Sequence, residues 1–280
     1  MEYSGILAAV GAALAWGTFM VPFKISKSSK LVLFQAFMSV GILISGLVLS
    51  LILGYPLKPN IYGIFAGVMW AIANLLALSA ISNLGLCRAV PLLSSLVVIS
   101  SFLWGALVFG ELPAGILLGV VGVMLIILGV VLVSTVGSNQ ALNIKKGLLA
   151  GVVAGLIFGS QLVPLKIGHV TTGEAFFSTG LGIFVTAMMV TIFSRTKFSK
   201  EIFKAGLLSG VIWNMGNLLS LISLSLIGLS KAGPISQIAT AVAVLWGLFY
   251  FKEVTIPAAK LQVLMGSIIL LVGVIILGLA

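Results

Sequence analysis

Residues 63–76, GIFAGVMWAIANLL, recur 143 positions later as GLLSGVIWNMGNLL over residues 206–219. Gly63, Gly67, Trp70, Asn74, Leu75 and Leu76 meet Gly206, Gly210, Trp213, Asn217, Leu218 and Leu219, and the register continues from Ser82, Gly85 and Leu86 to Ser225, Gly228 and Leu229. Apolar composition alone does not align tryptophan with tryptophan and asparagine with asparagine, so the chain contains an internal duplication. Further along, Pro91 meets Pro234, and after a one-residue gap Trp104, Gly105 and Glu111 meet Trp246, Gly247 and Glu253. Toward the N-terminus a shift of 142 sets Gly17, Thr18, Val21, Pro22 and Lys24 against Gly159, Ser160, Val163, Pro164 and Lys166.

The duplicated unit is built for lipid. Of the 280 residues, 61% are apolar and 7% charged, with a mean hydropathy of +1.32, whereas a soluble domain is about a quarter charged. Ten apolar stretches are long enough to cross a bilayer: 4–24, 31–53, 60–82, 88–109, 114–134, 147–166, 174–194, 204–227, 232–251 and 256–279. They lack the two-residue alternation of a membrane barrel, which leaves helices as the way to satisfy the backbone in hydrocarbon. The expected fold is an all-α membrane protein with ten transmembrane helices. Residues 1–138 form one five-helix repeat, 139–146 a linker and 147–280 the second repeat, integrated into one transmembrane domain. Five spans per repeat is odd, so the second copy enters from the opposite face and the repeats are inverted. Exchanging the roles of such halves opens a central site to one side or the other.

Charge sets the partners and the orientation. The net charge of +10 suits lipid headgroups and not nucleic acid, because no soluble surface is left for a basic groove. Twelve cations fall in alternate loops: Lys24, Lys27, Lys30, Arg88, Lys145, Lys146, Arg195, Lys197, Lys200, Lys204, Lys252 and Lys260, against Lys58, Lys166 and Lys231 on the other side. The positive-inside rule makes the first set cytoplasmic and puts both termini outside a cell membrane. The first apolar stretch runs into Trp16, Pro22 and Lys24 without a small-residue cleavage site, so it reads as a retained helix. Cys87 is the single cysteine and reads as packing.

Small residues recur every four positions at Gly147, Gly151, Gly155 and Gly159, and at Gly5, Ala9, Ala13 and Gly17, a stripe that lets helix backbones approach in lipid. Pro22, Pro91, Pro164 and Pro234 are expected helix kinks or breaks. Lys24 and Lys166 either snorkel to headgroups or form a gate or anion contact. Neutral polar residues at membrane depth include Gln35, Ser94, Ser95, Asn74, Gln161, Asn214, Asn217, Gln237 and Thr240. Each either bonds a neighbouring helix or lines a wet cavity. Trp16, Trp70 and Trp213 share helices with several of them, and an indole stacks on the apolar face of a sugar ring while amides bind its hydroxyls. The substrate-binding set expected here is therefore these three tryptophans with Gln35, Asn74, Gln161, Asn214, Asn217, Gln237 and Thr240. Glu2, Glu111, Glu174, Glu201 and Glu253 all fall at span ends or in loops, which argues against a transporter built on a carboxylate at the bilayer midplane. No phosphate-binding loop, catalytic carboxylate pair or metal-ligand pattern occurs, so neither enzyme, cofactor nor metal is expected.

With ten spans in two repeats, the segments Trp16-Gly17-Thr18-Phe19-Met20-Val21-Pro22-Phe23-Lys24 and Gly159-Ser160-Gln161-Leu162-Val163-Pro164-Leu165-Lys166 resemble the drug/metabolite transporter superfamily. The small-residue, proline and lysine endings are most similar to its glucose- and rhamnose-type sugar porters. That resemblance implies a central substrate site between the repeats and uptake driven by an ion gradient, of protons or sodium. An exporter of amino acids or other metabolites has the same architecture with a different lining, and a membrane sensor or scaffold would bind a ligand without moving it.

Overall fold

A computed structural model describes residues 2–27, 29–110, 116–136, 142–194, 198–227, 235 and 238–279. Hydrocarbon gives the backbone no partners, so the apolar stretches close their own hydrogen bonds as helices. These are α1 (Glu2–Thr18), α2 (Val21–Ile25), α3 (Leu31–Leu53), α4 (Ile61–Leu84), α5 (Leu86–Leu103) and α6 (Ile116–Ser134). They continue as α7 (Ile144–Ser160), α8 (Val163–Ile167), α9 (Thr172–Ser194), α10 (Lys200–Ile227), α11 (Ile238–Leu245) and α12 (Pro257–Leu279). Among the described residues, seven helical segments are long and apolar enough to cross a membrane: Tyr3–Ile25, Leu31–Leu53, Ile61–Leu84, Leu86–Leu103, Ile144–Ile167, Thr172–Ser194 and Pro257–Ile276. Leu117–Val133 and Ile238–Tyr250 are shorter apolar helices. The protein is an all-α, multi-pass membrane protein.

Local irregularities recur in pairs. The stretch expected as one helix over 4–24 breaks at Phe19 and Met20, and the one over 147–166 breaks at Gln161 and Leu162. Pro22 and Pro164 each stand in the first turn of the short helix that follows, where a missing N–H leaves nothing unsatisfied. Both short helices are followed by a residue at positive φ, Lys27 at 47° and His169 at 48°. A π-helical turn closes α5 over Trp104–Val108 and another closes α11 over Trp246–Tyr250. Each is followed by a positive φ, at Gly110 and Lys252. Pro91 lies inside α5, which runs unbroken through it. Pro234 and the linker residues 139–141 lie outside the described residues, as do Glu111, Arg195, Lys197 and Lys231.

Two helix ends differ from expectation for local reasons. Gly85, at φ 85° and ψ 168°, turns the chain from α4 into α5 in a single residue, a conformation open to glycine. Asn143 caps α7, its Oδ1 accepting from the Lys146 amide at 3.0 Å, which starts that helix three residues early.

Packing follows small residues. α3 lies against α10, α4 against α9, α1 against α10 and α11, α7 against α4 and α5, and α6 against α12. A Cβ on Gly67 would come within 2.8 Å of the Ile183 amide nitrogen, and one on Gly210 within 2.9 Å of that of Ile42. The duplicated glycines thus bring α4 onto α9 and α10 onto α3 backbone to backbone. The stripe Gly147, Gly151, Gly155 and Gly159 faces Leu84, Leu92, Leu96 and Ser100 of α4 and α5.

Candidate functional site

Trp70 of α4 and Trp213 of α10 are brought together in the middle of the bundle, ring centroids 4.5 Å apart and planes inclined at 55°. Phe158 packs edge-on to Trp70 at 5.8 Å, and the Trp16 indole donates to the Trp213 carbonyl at 3.3 Å. On one side of this aromatic group is a cavity of about 320 Å³ lined by Trp16, Trp70, Gln161, Trp213, Asn214 and Asn217, reaching Val170 and Thr172 between α8 and α9. On the other is a cavity of about 250 Å³, to which Trp16, Asn74, Ser94, Phe158 and Thr240 contribute. A third, of about 270 Å³, lies beyond it among Phe23, Lys24, Lys27 and Gly85. Trp16 borders the first two and Ile81 the last two, so the three are arranged in series.

The chain trace gives the direction of the series. Leu142, just before α7, borders the third cavity and donates its amide to the Asn83 carbonyl at the end of α4. From there α7 and α8 carry the chain across as a 24-residue span, about 36 Å of helix. Lys166 and Val170 therefore lie at the opposite end from Lys24.

The amides differ in what they already hold. Asn214 donates to Ser45 Oγ at 3.0 Å and to the Ile42 carbonyl at 3.4 Å, a cross-helix bond that leaves it on the wall of the first cavity. Asn217 lines that cavity too. Gln161 Oε1 is buried there without a hydrogen-bond partner among the described residues. Asn74 and Gln35 are wholly buried, and Asn74 Nδ2 donates to Gln35 Oε1. Gln35 Nε2 and Asn74 Oδ1 have no further partner among the described residues. Thr240 donates to Ser94 Oγ at 2.9 Å. Asn74 and Asn217 do not face one another; they line different cavities. Gln237 lies outside the described residues.

Sequence reasoning placed every acid at a span end or in a loop, and one of them is buried. Glu253 has no exposed surface. It accepts from the amides of Leu86 at 2.8 Å and Cys87 at 2.9 Å, and it pairs with Lys24. The ammonium of Lys24 also lies 4.9 Å from the Phe251 ring centre, and that of Lys166 lies 4.1 Å from Phe109 at the other end. The match of Lys24 with Lys166 was a signal for two equivalent ends, but nothing in the string marks Glu253 as enclosed. No group of three or more His, Cys, Asp or Glu side chains arranged to hold a metal ion occurs among the described residues.

A multi-pass helical membrane protein with a central aromatic and amide-lined path is the class that fold and site define. The family description "Sugar transport protein" matches residues 7–280, and the chain belongs to that family, a family of transport proteins and not of enzymes. It is 26% identical over 255 residues to the glucose uptake protein of Bacillus subtilis (strain 168), covering 86% of this chain and 88% of that one. It is 25% identical over 285 residues to a putative sugar uptake protein of Bacillus anthracis, covering 98% of both. A putative sugar uptake protein of Listeria monocytogenes is 27% identical over 255 residues, 85% of this chain and 88% of its own. A crystal structure with 16% identity superimposes with a TM-score of 0.62 over 99% of this chain and 96% of its own, a likeness of fold alone.

Proposed function

We propose that this protein is a secondary transporter that takes up a small neutral polyhydroxylated solute, a sugar, by alternating access. The observation that carries the reading is Gln161 Oε1, a buried acceptor without a partner on the wall of a cavity shared with Trp16, Trp213, Asn214 and Asn217. A hydroxyl supplies the missing donor, and the indoles offer a face for the ring. The names of the sugar and glucose uptake relatives support the same substrate class.

The architecture proposed with it is ten spans in two inverted repeats, 1–138 and 147–280, joined by the linker 139–146, as in the drug/metabolite transporter superfamily. Its support is the paired helix breaks, π turns and positive φ values, and the two lysines at opposite ends of the path. Gln35, Asn74 and Thr240 serve the half of the path on the far side of the tryptophans. Uptake is coupled to a proton or sodium gradient, and both termini lie outside.

Uptake of labelled hexoses, deoxyhexoses and amino acids into proteoliposomes tests the proposal. Saturable sugar flux supports it; amino-acid flux without sugar flux, or sugar binding with no flux, refutes it.

A further inference from the structure

We propose that Glu253 is a latch: its carboxylate clamps the Lys24 end of the path shut while the Val170 end is open, and releases when the transporter turns. The inference rests on the transport reading above.

The site around the carboxylate is assembled from both halves of the chain. Leu86 and Cys87 present the first two amides of α5, an 18-residue helix, and Lys24 comes from α2, whereas Glu253 belongs to the connection between α11 and α12. Space is made by two glycines. A Cβ on Gly85 would lie 2.5 Å from Glu253 Oε2, and one on Gly247 would lie 2.9 Å from it. Lys24 is 16% exposed, against 0% for Glu253. Arg88, the single charged side chain of α5, is also buried.

Burying a carboxylate is costly, and an ion pair with backbone donors at a helix N-terminus offsets that cost without giving the net stability of a well-packed apolar cluster. Sequence economy alone would favour leucine here. What an ionic clamp adds is that it can be exchanged for water when its parts separate. This one sits in the layer between the second and third cavities, where Ile81 borders both. Lys24 and Gly85 line the third cavity and Leu86 the second, and Glu253 ties α2, α5 and the α11–α12 connection together between them.

Cys87 supplies a built-in reporter, because it is the only cysteine of the chain, is wholly buried, and donates its amide to the latch. The full-length protein in liposomes of known orientation is treated with a charged thiol reagent from the Lys24 side. Glu253→Gln and Lys24→Met are each expected to speed Cys87 labelling by about tenfold, the shift that about 1.4 kcal/mol of lost clamp would give. In a Cys87→Ser, Ala175→Cys background, which reports on the first cavity, Glu253→Gln is expected to lower labelling from the opposite side. Faster labelling at both ends would mean loosened packing and would overturn the latch, as would unchanged labelling of Cys87. The labelling does not depend on a substrate: reciprocal changes in a protein that moves no sugar would sink the transport reading and leave the latch standing.

Discussion

Asn74 and Asn217 occupy the same place in the two halves of the sequence, yet Asn74 is wholly buried against Gln35 while Asn217 faces an open cavity. One copy is paired and the other available. Alanine at the two sites should therefore fail differently. Asn217→Ala is expected to weaken sugar affinity by about 1–3 kcal/mol, roughly 5- to 150-fold, with little change in melting temperature. Affinity from a binding titration, beside a thermal melt in detergent, checks this. A lower melting temperature with unaltered affinity would make Asn217 a packing residue.

Asn74→Ala strands Gln35 without its partner, so its first effect is expected on stability, by about 1–3 kcal/mol. Asn74→Ala combined with Gln35→Leu should recover much of that loss while leaving transport impaired. A melt of the single and double variants decides it.

Trp70 and Trp213, tilted against each other, both line the first cavity. Trp213→Ala removes a face offered to the sugar and is expected to lower affinity by at least tenfold, in the range of a buried aromatic contact. Trp213→Phe should keep much of the binding. Equal affinity in all three proteins would remove the aromatic group from the site.

Gly67 and Gly210 are backbone contacts and tolerate no side chain. Gly67→Val is expected to abolish folding or to cost several kcal/mol, since the backbone atoms it would strike cannot move aside as a side chain can. Expression followed by size-exclusion chromatography reads the outcome, with Gly54→Ala, where nothing lies within 4 Å, as a milder control limited to its positive φ.

Orientation is open to a direct measurement. In a Cys87→Ser background, a cysteine at Ser199 should react with an impermeant reagent only after the cells are opened, because its loop is expected in the cytoplasm. Labelling of intact cells would reverse the assignment.

Helices and duplication were legible because each leaves a local or periodic mark: apolar runs of span length, and tryptophan, asparagine and glycine at a constant offset. The meeting of Trp70 with Trp213 was foreshadowed by that offset. The asymmetry between Asn74 and Asn217 was not, since matched residues carry the same letter whichever state the path is in. Glu253 reads in sequence only as an acid at a span end or in a loop. Its enclosure depends on Lys24, Gly85 and α5, more than 160 residues away in the chain, and no periodicity reports such a distant contact.

One pair of helices takes no part in the path. α6 and α12 meet through Gly129 and Gly266, with a Cβ on Gly129 falling 2.6 Å from the Gly266 carbonyl, and neither contributes a residue to the three cavities. Besides each other they pack on α5, where Val98, Ile99 and Phe102 meet Ile126 and Leu270. The pair thus acts as a buttress behind α5: its outer faces meet lipid, and its inner faces fix the back of a helix whose front lines the second cavity.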